Sequence, residues 1–478
     1  MNHPSRRTVM SAALGITAAT ALPASPASAS AAATTATVTV NASTSLATVP
    51  ATLVGANTAI YDGLLTSTTT AGLLHTAGVK YLRYPGGSHS DVYHWQTHTA
   101  ENGAYIDPNA DFDNLMTMAD SAQAKPIITV NYGSGTAQEA AAWVEYANVT
   151  KGHGITYWEI GNEVFGNGHY GSSYDWEYDT HTDKSPAAYA NACVDYIAAM
   201  KAVDPSIKVG VVLTTPTFAP DGIVGSGDSG DSGDWNDVVL AIVNTKADFV
   251  VIHWYPYTSS TTEAEMLTKP QSGADIVIKV RADLDKWGVA SAEIFFTELN
   301  GGPPRDTQPQ ALWAADAYLT LAEAGVKNVT WWNVHNGSGG TSTDSTGATD
   351  YDDEGLISYG SSGEPAAQTP FRSYYGIQML SRVCAAGDTL VQASSSRSTL
   401  SAHAVKRQNG GLDLLLINKD SANACTVSLS YSGYSPKSST QTDTYGLTSS
   451  AITHATSGSA STQTVPPYGL LAVHLTAS

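Results

Sequence analysis

The chain has 478 residues, of which 42% are hydrophobic and 14% charged, so it exceeds one average domain and can bury a sizeable core. Its formal net charge of −20 at pH 7 disfavours binding to nucleic acid or to an anionic membrane surface, and it fits a neutral substrate better than a polyanion. After residue 33, no stretch approaches the roughly 20 apolar residues that span a bilayer, so no membrane partner is expected.

Residues 1–33 are interpreted as an export signal. The pair Arg6-Arg7 precedes a mildly apolar run at 11–22 and small residues at 27–29, which is typical of a twin-arginine signal with its cleavage site. Because this segment carries two arginines and no acid, its removal takes the formal charge from −20 to −22. The mature protein is therefore predicted to be secreted.

From about residue 53, strand and helix patterns alternate. Eight strands are predicted, at 53–59, 79–84, 126–131, 155–160, 207–213, 249–254, 294–298 and 329–333. Helical patterns lie between them, at 112–122, 137–146, 187–203, 275–287 and 309–324. This alternation predicts an α/β fold with a (β/α)₈ TIM barrel over residues 51–380.

Beyond residue 380 the helical period gives way to short alternating strands. They are predicted at 400–407, 412–418, 425–431 and 469–475, with the Ser/Thr-rich stretches 394–398 and 456–464 as surface loops. Residues 381–478 are thus predicted to form a smaller all-β sandwich. Residues 34–50 also alternate, and we expect them to add an N-terminal strand to that sandwich.

Three cysteines cannot build a disulfide framework. Cys193 lies on the apolar face of a predicted helix and is interpreted as a buried core thiol. Cys384 and Cys425 both fall in the C-terminal region, where an oxidising compartment would permit a structural bridge between them.

Two acids end two predicted strands that are not neighbours. Glu163 closes the fourth strand in Gly161-Asn162-Glu163, and Glu298 closes the seventh. Catalytic groups of (β/α)₈ barrels lie at the C-terminal ends of the strands, and a pair of carboxylates there is the arrangement that cleaves glycosidic bonds.

Further polar and aromatic side chains end the other strands and are candidate substrate-binding residues. They are Arg83, Asn131, Asn162, His253, Tyr255, Trp332 and Asn333. Trp95, Trp158, Trp254 and Trp331 join Trp332 as candidate faces for sugar stacking. Glu159 faces away from Ile160 in a strand and is interpreted as a structural ion-pair partner.

Between about residues 50 and 380 the sequence resembles the clan A retaining glycoside hydrolases. Residues 81–87 together with Ile160-Gly161-Asn162-Glu163 most resemble the α-L-arabinofuranosidase branch. The resemblance implies that Glu163 is the general acid/base and Glu298 the nucleophile. It also implies that Asn162 binds the sugar 2-hydroxyl, that Tyr255 hydrogen-bonds the nucleophile and that Arg83 lies beside it.

The sugar itself stays open, because residues 297–300 depart from the Asp-Glu-Trp pattern of that branch. Arabinofuranoside is the first expectation, and β-xyloside, β-glucuronide and galactoside are rivals. The sequence does not decide between exo and endo action.

The chemistry itself sets requirements for the two acids. One carboxyl must hold a proton for the leaving oxygen, and we expect burial to raise the pKa of Glu163. Arg83 and Tyr255 are expected to keep Glu298 ionised. A retaining mechanism requires the two carboxyl groups to lie about 5 to 5.5 Å apart, and a separation beyond about 6.5 Å would indicate inversion.

Other classes of function are less favoured. A carbohydrate-binding protein on an inactive barrel would not need both acids, and no Gly-x-Ser-x-Gly elbow supports an esterase. No transition-metal spacing is present, and no cofactor is expected. The acidic loops at 227–234 and 350–353 could hold Ca²⁺, but they lack EF-hand spacing and are interpreted as solvated loops.

Overall fold

The computed structural model describes residues 34–216 and 232–478. The predicted export signal lies outside these residues, and so do the side chains of the acidic loop at 227–234. In chain order the strands are β1 (Thr34–Thr48), β2 (Val54–Asn57), β3 (Tyr81–Tyr84), β4 (Tyr93–His94), β5 (Thr99–Ala100), β6 (Lys125–Val130), β7 (Tyr157–Ile160), β8 (Lys208–Val212), β9 (Phe249–Trp254), β10 (Glu293–Leu299), β11 (Asn328–Trp331), β12 (Ser342–Thr343), β13 (Thr349–Asp350), β14 (Thr389–Ser395), β15 (Leu400–Lys406), β16 (Leu412–Asn418), β17 (Cys425–Ser432), β18 (Ser439–Tyr445), β19 (Thr453–Ser459), β20 (Thr462–Val465) and β21 (Gly469–Leu475).

The helices fall between the strands. They are α1 (Thr68–Ala77), α2 (Phe112–Ala122), α3 (Ala137–Val144), α4 (Pro186–Val203), α5 (Ser232–Val243), α6 (Glu263–Met266), α7 (Gly273–Lys286), α8 (Gln308–Glu323) and α9 (Arg372–Val383). Within the described parts of the chain, none of them is long and apolar enough to cross a membrane. Local sequence explains where they begin: Ser185 caps α4 by accepting from the Ala188 amide, and Pro186 follows it in the first turn, where its missing N–H costs nothing.

Eight parallel strands close into a barrel in the order β10-β11-β2-β3-β6-β7-β8-β9. All eight predicted barrel strands are therefore confirmed. Phe249 and Phe295, from neighbouring strands β9 and β10, pack with Tyr157 of β7 inside the lower end of the barrel, with ring centroids 4.6 to 5.7 Å apart. This packing leaves the upper end, where the strands finish, for polar side chains.

The remaining strands form a nine-stranded sheet in the order β19-β18-β21-β16-β15-β14-β1-β17-β20. β1 pairs parallel with β17 and antiparallel with β14, so the N-terminal segment lies in the C-terminal sheet as the fold prediction required. The loop predicted at 394–398 is confirmed for residues 396–398, since β14 ends at Ser395, but the loop predicted at 456–464 is wrong, because β19 and β20 occupy most of it. Serine and threonine there are typical of loops, but β19 is an exposed edge strand that tolerates polar side chains.

β16 joins the sandwich to the barrel, because every one of its residues is buried. Leu412, Leu414 and Leu416 belong to the core inside the sandwich. Leu415 and Ile417 point to the other face and belong to the barrel's core. Two-sided burial explains the near-continuous apolar sequence of this strand.

All three cysteines are free and buried. The bridge between Cys384 and Cys425 that the sequence left open is not formed. Cys193 lies in the core, as expected, and burial raises the pKa of its thiol well above the usual value.

A buried ionic cluster ties the sandwich to the barrel helix α8. Asp316 of α8 lies 2.9 Å from His403 Nε2 and 2.6 Å from Lys419 Nζ. Burial opposes the ionisation of Asp316, but Lys419 and His403 hold the pKa of its carboxyl well below the usual value. Burial also opposes the charge on His403, but Glu323 and Asp316 raise its pKa to about 10.

We expect Asp316→Ala to destabilise the protein by about 3–5 kcal/mol, because it leaves the buried Lys419 ammonium without its carboxylate partner and His403 with only Glu323. The folded pKa of His403 lies above the roughly 6.5 of an unfolded chain. Its contribution to stability is thus complete below about pH 6.5 and is lost as the pH rises through about 10. Calorimetry from pH 6.5 to pH 10 should show a fall in wild-type melting temperature that is weaker in Asp316→Ala. The control is Asp113→Ala, which removes an exposed pair with Lys151 and should change stability little.

Candidate active site

Arg83 is the fixed centre of the upper end of the barrel. It lies fully buried one residue before the end of β3, and its guanidinium donates to Glu159 Oε2 at 2.7 Å, to Glu298 Oε1 at 2.7 Å and to Asn162 Oδ1 at 2.9 Å. Asn57 accepts a further bond from Nη1 at 3.0 Å. The ion pair expected for Glu159 is thereby confirmed, and it compensates much of the charge buried with Arg83.

Glu298, at the end of β10, accepts a hydrogen bond on each oxygen of its carboxyl group. Besides Arg83 on Oε1, the Tyr255 hydroxyl donates to Oε2 at 2.7 Å. Burial raises the pKa of Tyr255 well above 10, and neighbouring Glu298 adds to this, so the phenol keeps its proton and remains a donor. An ionised carboxylate with fixed orientation is what a nucleophile requires.

Glu163 follows β7 in a strained backbone conformation. Its φ of +36° lies in the left-handed region, which costs a non-glycine residue about 1 kcal/mol or more and is concentrated at functional sites. Trp176 Nε1 donates to its Oε2 at 2.8 Å, and His253 Nδ1 donates to its Oε1 at 2.8 Å. Both carboxylate oxygens are therefore oriented.

The two acids lie close together across the pocket. One oxygen from each carboxylate and a ring nitrogen of His253 lie within 4.8 Å of one another. His253 Nδ1 is also 3.5 Å from Glu298 Oε2, so the imidazole bridges the pair. An upper bound of 4.8 Å between one oxygen of each acid agrees with the close carboxyl pair of retaining glycosidases, which lie about 5 to 5.5 Å apart.

The protonation of this pair differs from the expectation for Glu163 alone. Burial by itself would raise its pKa, but the hydrogen bond and charge of His253, with help from Trp176, lower the pKa below the usual value. Burial likewise would lower the pKa of His253, yet Glu298 and Glu163 raise it. Both shifts favour the imidazolium of His253 hydrogen-bonded to the carboxylate of Glu163.

Behind the pocket, a second acidic layer supports Asn162. Glu177 Oε1 accepts from Asn162 Nδ2 at 2.8 Å and from Ser88 Oγ at 2.7 Å. Burial raises the pKa of Glu177 well above 4.5, and it raises that of Asp91, which accepts the Asn162 amide, to about 7. The Asn162 side chain is thus locked in place with Oδ1 toward Arg83.

Steric contacts explain why positions 86 and 87 are glycines. A Cβ at Gly86 would lie 1.9 Å from the Thr58 carbonyl oxygen, and one at Gly87 would lie 2.5 Å from Trp332 Cη2. Both residues have positive φ. Glycine at these positions lets the loop pass close to the Trp332 ring, which forms one wall of the pocket.

A cavity of about 420 Å³ opens above the two acids. It is lined by Gly87, Ser88, Asn162, Glu163, Trp176, Tyr255, Tyr257, Glu298, Trp332 and Glu354. Five of the candidate residues line it, namely Asn162, Glu163, Tyr255, Glu298 and Trp332, while Arg83 and His253 lie directly behind the acids.

Other sequence candidates lie elsewhere. The Asn131 side chain fixes its own turn by accepting from the Ser134 and Gly135 amides, and it does not line the cavity. Asn333 is fully buried and does not line the cavity either. Trp158, Trp254 and Trp331 are core residues with no exposure, and Trp95 stacks on Trp143 instead. Trp158, Trp254 and Trp331 therefore have no exposed face for sugar stacking, whereas the substrate-binding role of Asn131 and Asn333 stays a prediction.

Five lining residues were absent from the sequence candidates: Gly87, Ser88, Trp176, Tyr257 and Glu354. Trp176 is 40% exposed although its indole nitrogen is fixed on Glu163, so its ring edge offers an aromatic surface beside the acid. Burial raises the pKa of Glu354, against the lowering effect of Arg305.

Glu163, His253 and Glu298 are grouped closely enough to hold a metal ion. Their donor atoms, however, already have partners. Tyr255 and Arg83 donate to Glu298, Trp176 donates to Glu163, and the raised pKa of His253 favours the imidazolium, which has no free lone pair.

In the acidic loop at 350–353, Asp350 accepts the Arg305 amide and Asp353 accepts the Gly355 amide.

Fold and site together define a (β/α)₈ barrel with a pair of buried carboxylates at its strand ends and a β-sandwich packed against it. No protein-family model matches this sequence. Among curated proteins, it is similar to the probable α-L-arabinofuranosidase C of Aspergillus fumigatus, with 28% identity over 162 residues, covering 28% of this chain and 30% of the relative. An intracellular exo-α-L-arabinofuranosidase of Bacteroides ovatus is 27% identical over 219 residues, covering 39% of this chain and 36% of the relative. The matches thus span about a third of the length of these relatives.

Solved structures extend the similarity to almost the whole fold. The family 51 α-L-arabinofuranosidase of Thermotoga petrophila superposes with a TM-score of 0.71 at 18% identity, covering 92% of this chain and all of that one. A family 44 xyloglucanase of Paenibacillus polymyxa gives 0.67 at 15% identity, covering 93% of this chain and all of that one. At such identities the likeness establishes the architecture, a (β/α)₈ barrel with a C-terminal sandwich.

Proposed function

We propose that the protein is a retaining glycoside hydrolase that cleaves O-glycosidic bonds of an oligo- or polysaccharide by double displacement. The observation that carries this proposal is the pair Glu163 and Glu298, with oxygens within 4.8 Å of each other and different partners. Arg83 and Tyr255 each donate a hydrogen bond to Glu298, whereas Glu163 shares a hydrogen bond with His253. Unequal environments for two close carboxylates are what assign a nucleophile and an acid.

In the first step Glu298 attacks the anomeric carbon, and the glycosidic bond to the leaving oxygen breaks. The proton shared with His253 moves to Glu163 along their 2.8 Å hydrogen bond, and Glu163 transfers it to the leaving oxygen, so that Glu163 is left ionised. The product of this step is a covalent ester between Glu298 and the sugar.

In the second step Glu163, now ionised, removes a proton from water, and the water oxygen attacks the same anomeric carbon. The bond to Glu298 breaks, and the carboxylate returns to Arg83 and Tyr255. Two inversions at one carbon give net retention of configuration.

We further propose α-L-arabinofuranoside as the sugar. Support comes from the names of the similar curated proteins and from the residues that resemble this branch, Arg83, Asn162, Glu163 and Tyr255. Because a family 44 xyloglucanase is also similar in structure, glucan-type substrates remain an alternative to arabinofuranosides.

The proposal is tested by incubating the purified protein with 4-nitrophenyl glycosides of α-L-arabinofuranose, β-xylose, β-galactose and β-glucuronic acid. We expect fastest release of 4-nitrophenol from the arabinofuranoside, and NMR of the first product should show the α-anomer before mutarotation. A first-formed β-anomer would refute retention. Sugar binding without turnover on the whole panel would indicate a carbohydrate-binding protein on an inactive barrel.

We also propose that the protein is secreted through the twin-arginine signal in residues 1–33 and requires no cofactor. A Ca²⁺ site at residues 350–353 is the less favoured alternative, because backbone amides and Arg305 already occupy carboxylate oxygens there. The oligomeric state is not part of the proposal.

A further inference from the structure

Glu354 is a third carboxylate in the pocket, and the two-step reaction does not use it. It lies beyond β11 in the chain, yet its backbone is fixed to the end of that strand. Its carbonyl accepts from the Trp331 indole at 2.9 Å and from the Asn333 amide at 3.2 Å. This anchoring places the side chain in the wall of the cavity next to Tyr257 and Trp332.

Only one oxygen of this carboxylate is engaged by the protein among the described residues. Arg305 Nη1 and the Tyr257 hydroxyl both donate to Oε1. The side chain keeps 18% exposure while lining the cavity, so Oε2 remains available as an acceptor. Arg305 also pairs with Asp352 and lies over the Tyr257 ring, 5.2 Å from its centroid, which holds the guanidinium in place.

Charge in the cavity is one-sided. Of the ten lining residues in the described part of the chain, three are glutamates and none is lysine or arginine. Arg83 is covered by Glu298, and Arg305 is already shared between two acids. A sugar carboxylate entering this cavity would meet carboxylates without a free cation to pair with, which is a strong repulsive contribution to specificity.

We propose that Glu354 is a specificity-determining residue, which accepts a hydrogen bond from a hydroxyl of the bound sugar and excludes uronic acids. The inference rests on the proposed glycoside hydrolase function and narrows its substrate class to uncharged sugars. It removes β-glucuronide from the rivals. The ion pair with Arg305 favours the carboxylate form of Glu354 against the effect of burial. A sugar hydroxyl donates more strongly to such a charged acceptor than to a neutral one, so the contact also orients the ring over Glu298.

The test compares wild type with Glu354→Gln, Glu354→Asp and the control Asp352→Asn. Calorimetric titration with L-arabinose and with D-glucuronate measures binding without requiring turnover, and kcat/KM is measured on the aryl glycoside panel. We expect Glu354→Gln to bind arabinose and hydrolyse its aryl glycoside about tenfold less well, since a charged hydrogen bond becomes neutral. Asp352→Asn disturbs the same Arg305 from outside the cavity lining and should stay within twofold.

Glu354→Asp distinguishes the effect of the hydrogen bond to the sugar from the effect of the negative charge in the cavity. It retains the negative charge but withdraws the carboxylate, so it should lose arabinose affinity and still reject glucuronate, whereas Glu354→Gln should reject glucuronate less. Melting temperatures identify any variant that is misfolded. If one Glu354 variant is misfolded, the binding and kinetics of the other variant test the proposal.

Three results would overturn the inference. They are unchanged arabinose binding and kcat/KM in Glu354→Gln, an equal loss in Asp352→Asn, or wild-type preference for glucuronate. Such results leave the hydrolase proposal standing if neutral aryl glycosides are still cleaved. Absence of all turnover refutes the hydrolase proposal, while the arabinose titration still decides whether Glu354 contacts the sugar.

Discussion

Replacing Glu298 with alanine is expected to lower kcat on every aryl glycoside that the protein hydrolyses, by on the order of 10⁴-fold. The loss should not depend on the leaving group, because attack on the anomeric carbon is needed whichever oxygen leaves. Alanine also empties the space between Arg83 and Tyr255, where the carboxylate lies. Steady-state kinetics on aryl glycosides of graded leaving-group acidity checks this expectation.

Azide distinguishes a lost nucleophile from a damaged fold. The anion fits the vacated position beside Arg83 and can attack the sugar from the face of Glu298 in a single displacement. We therefore expect azide to restore turnover in Glu298→Ala and to give a glycosyl azide of inverted configuration, identified by NMR. A retained glycosyl azide, or residual activity above a tenth of wild type, would contradict the nucleophile assignment. Glu298→Gln, with the same shape, should be equally inactive and should not respond to azide.

The barrel and its two acids could be predicted from sequence because each depends on local pattern. Buried barrel strands are short apolar runs, and Glu163 and Glu298 interrupt two of them at the point where the chain leaves the sheet. Closure of the barrel then brings strand ends together wherever they lie in sequence. Arg83 was found for the same reason, although its four hydrogen bonds were not foreseeable.

Loop residues of the site could not be predicted in this way. Trp176 reaches Glu163 from 13 residues further along the chain, and Glu354 reaches Trp331 across 23 residues, through segments without helical or strand periodicity. The sequence contains both residues, but nothing in it says that the loops fold back over the barrel. Conversely, Trp158, Trp254 and Trp331 are aromatic residues near strand ends that face the core instead.

The direction of the pKa shift of Glu163 could not be predicted from the sequence either. Burial of Glu163 predicts a raised pKa, and burial does act in that direction. Its effect is outweighed by a hydrogen bond to His253, a residue 90 positions away whose ring lies between the two acids. The direction of a pKa shift depends on such geometry as much as on burial.

Glu163→Ala is expected to behave differently from Glu298→Ala, in a way that depends on the leaving group. Alkyl glycosides need a proton on the departing oxygen, and their hydrolysis should slow by about 10²–10⁴-fold. Dinitrophenolate leaves without taking up a proton, so the first step on dinitrophenyl glycosides should change little. Hydrolysis of the Glu298 ester, which needs the general base, should become slow. Stopped-flow measurements should then show a burst of dinitrophenol, and KM should fall because the covalent intermediate accumulates.

Azide again identifies the role, with the opposite stereochemical result. It needs no general base, so in Glu163→Ala it should attack the Glu298 ester and yield a glycosyl azide of retained configuration. The pH profile supplies a second criterion: wild-type kcat/KM should fall at high pH as the proton shared by His253 and Glu163 is lost, and this limb should disappear in the variant for dinitrophenyl substrates. An inverted azide product would assign the acid/base role to Glu298. A high-pH limb that persists unchanged would mean that another group supplies the proton.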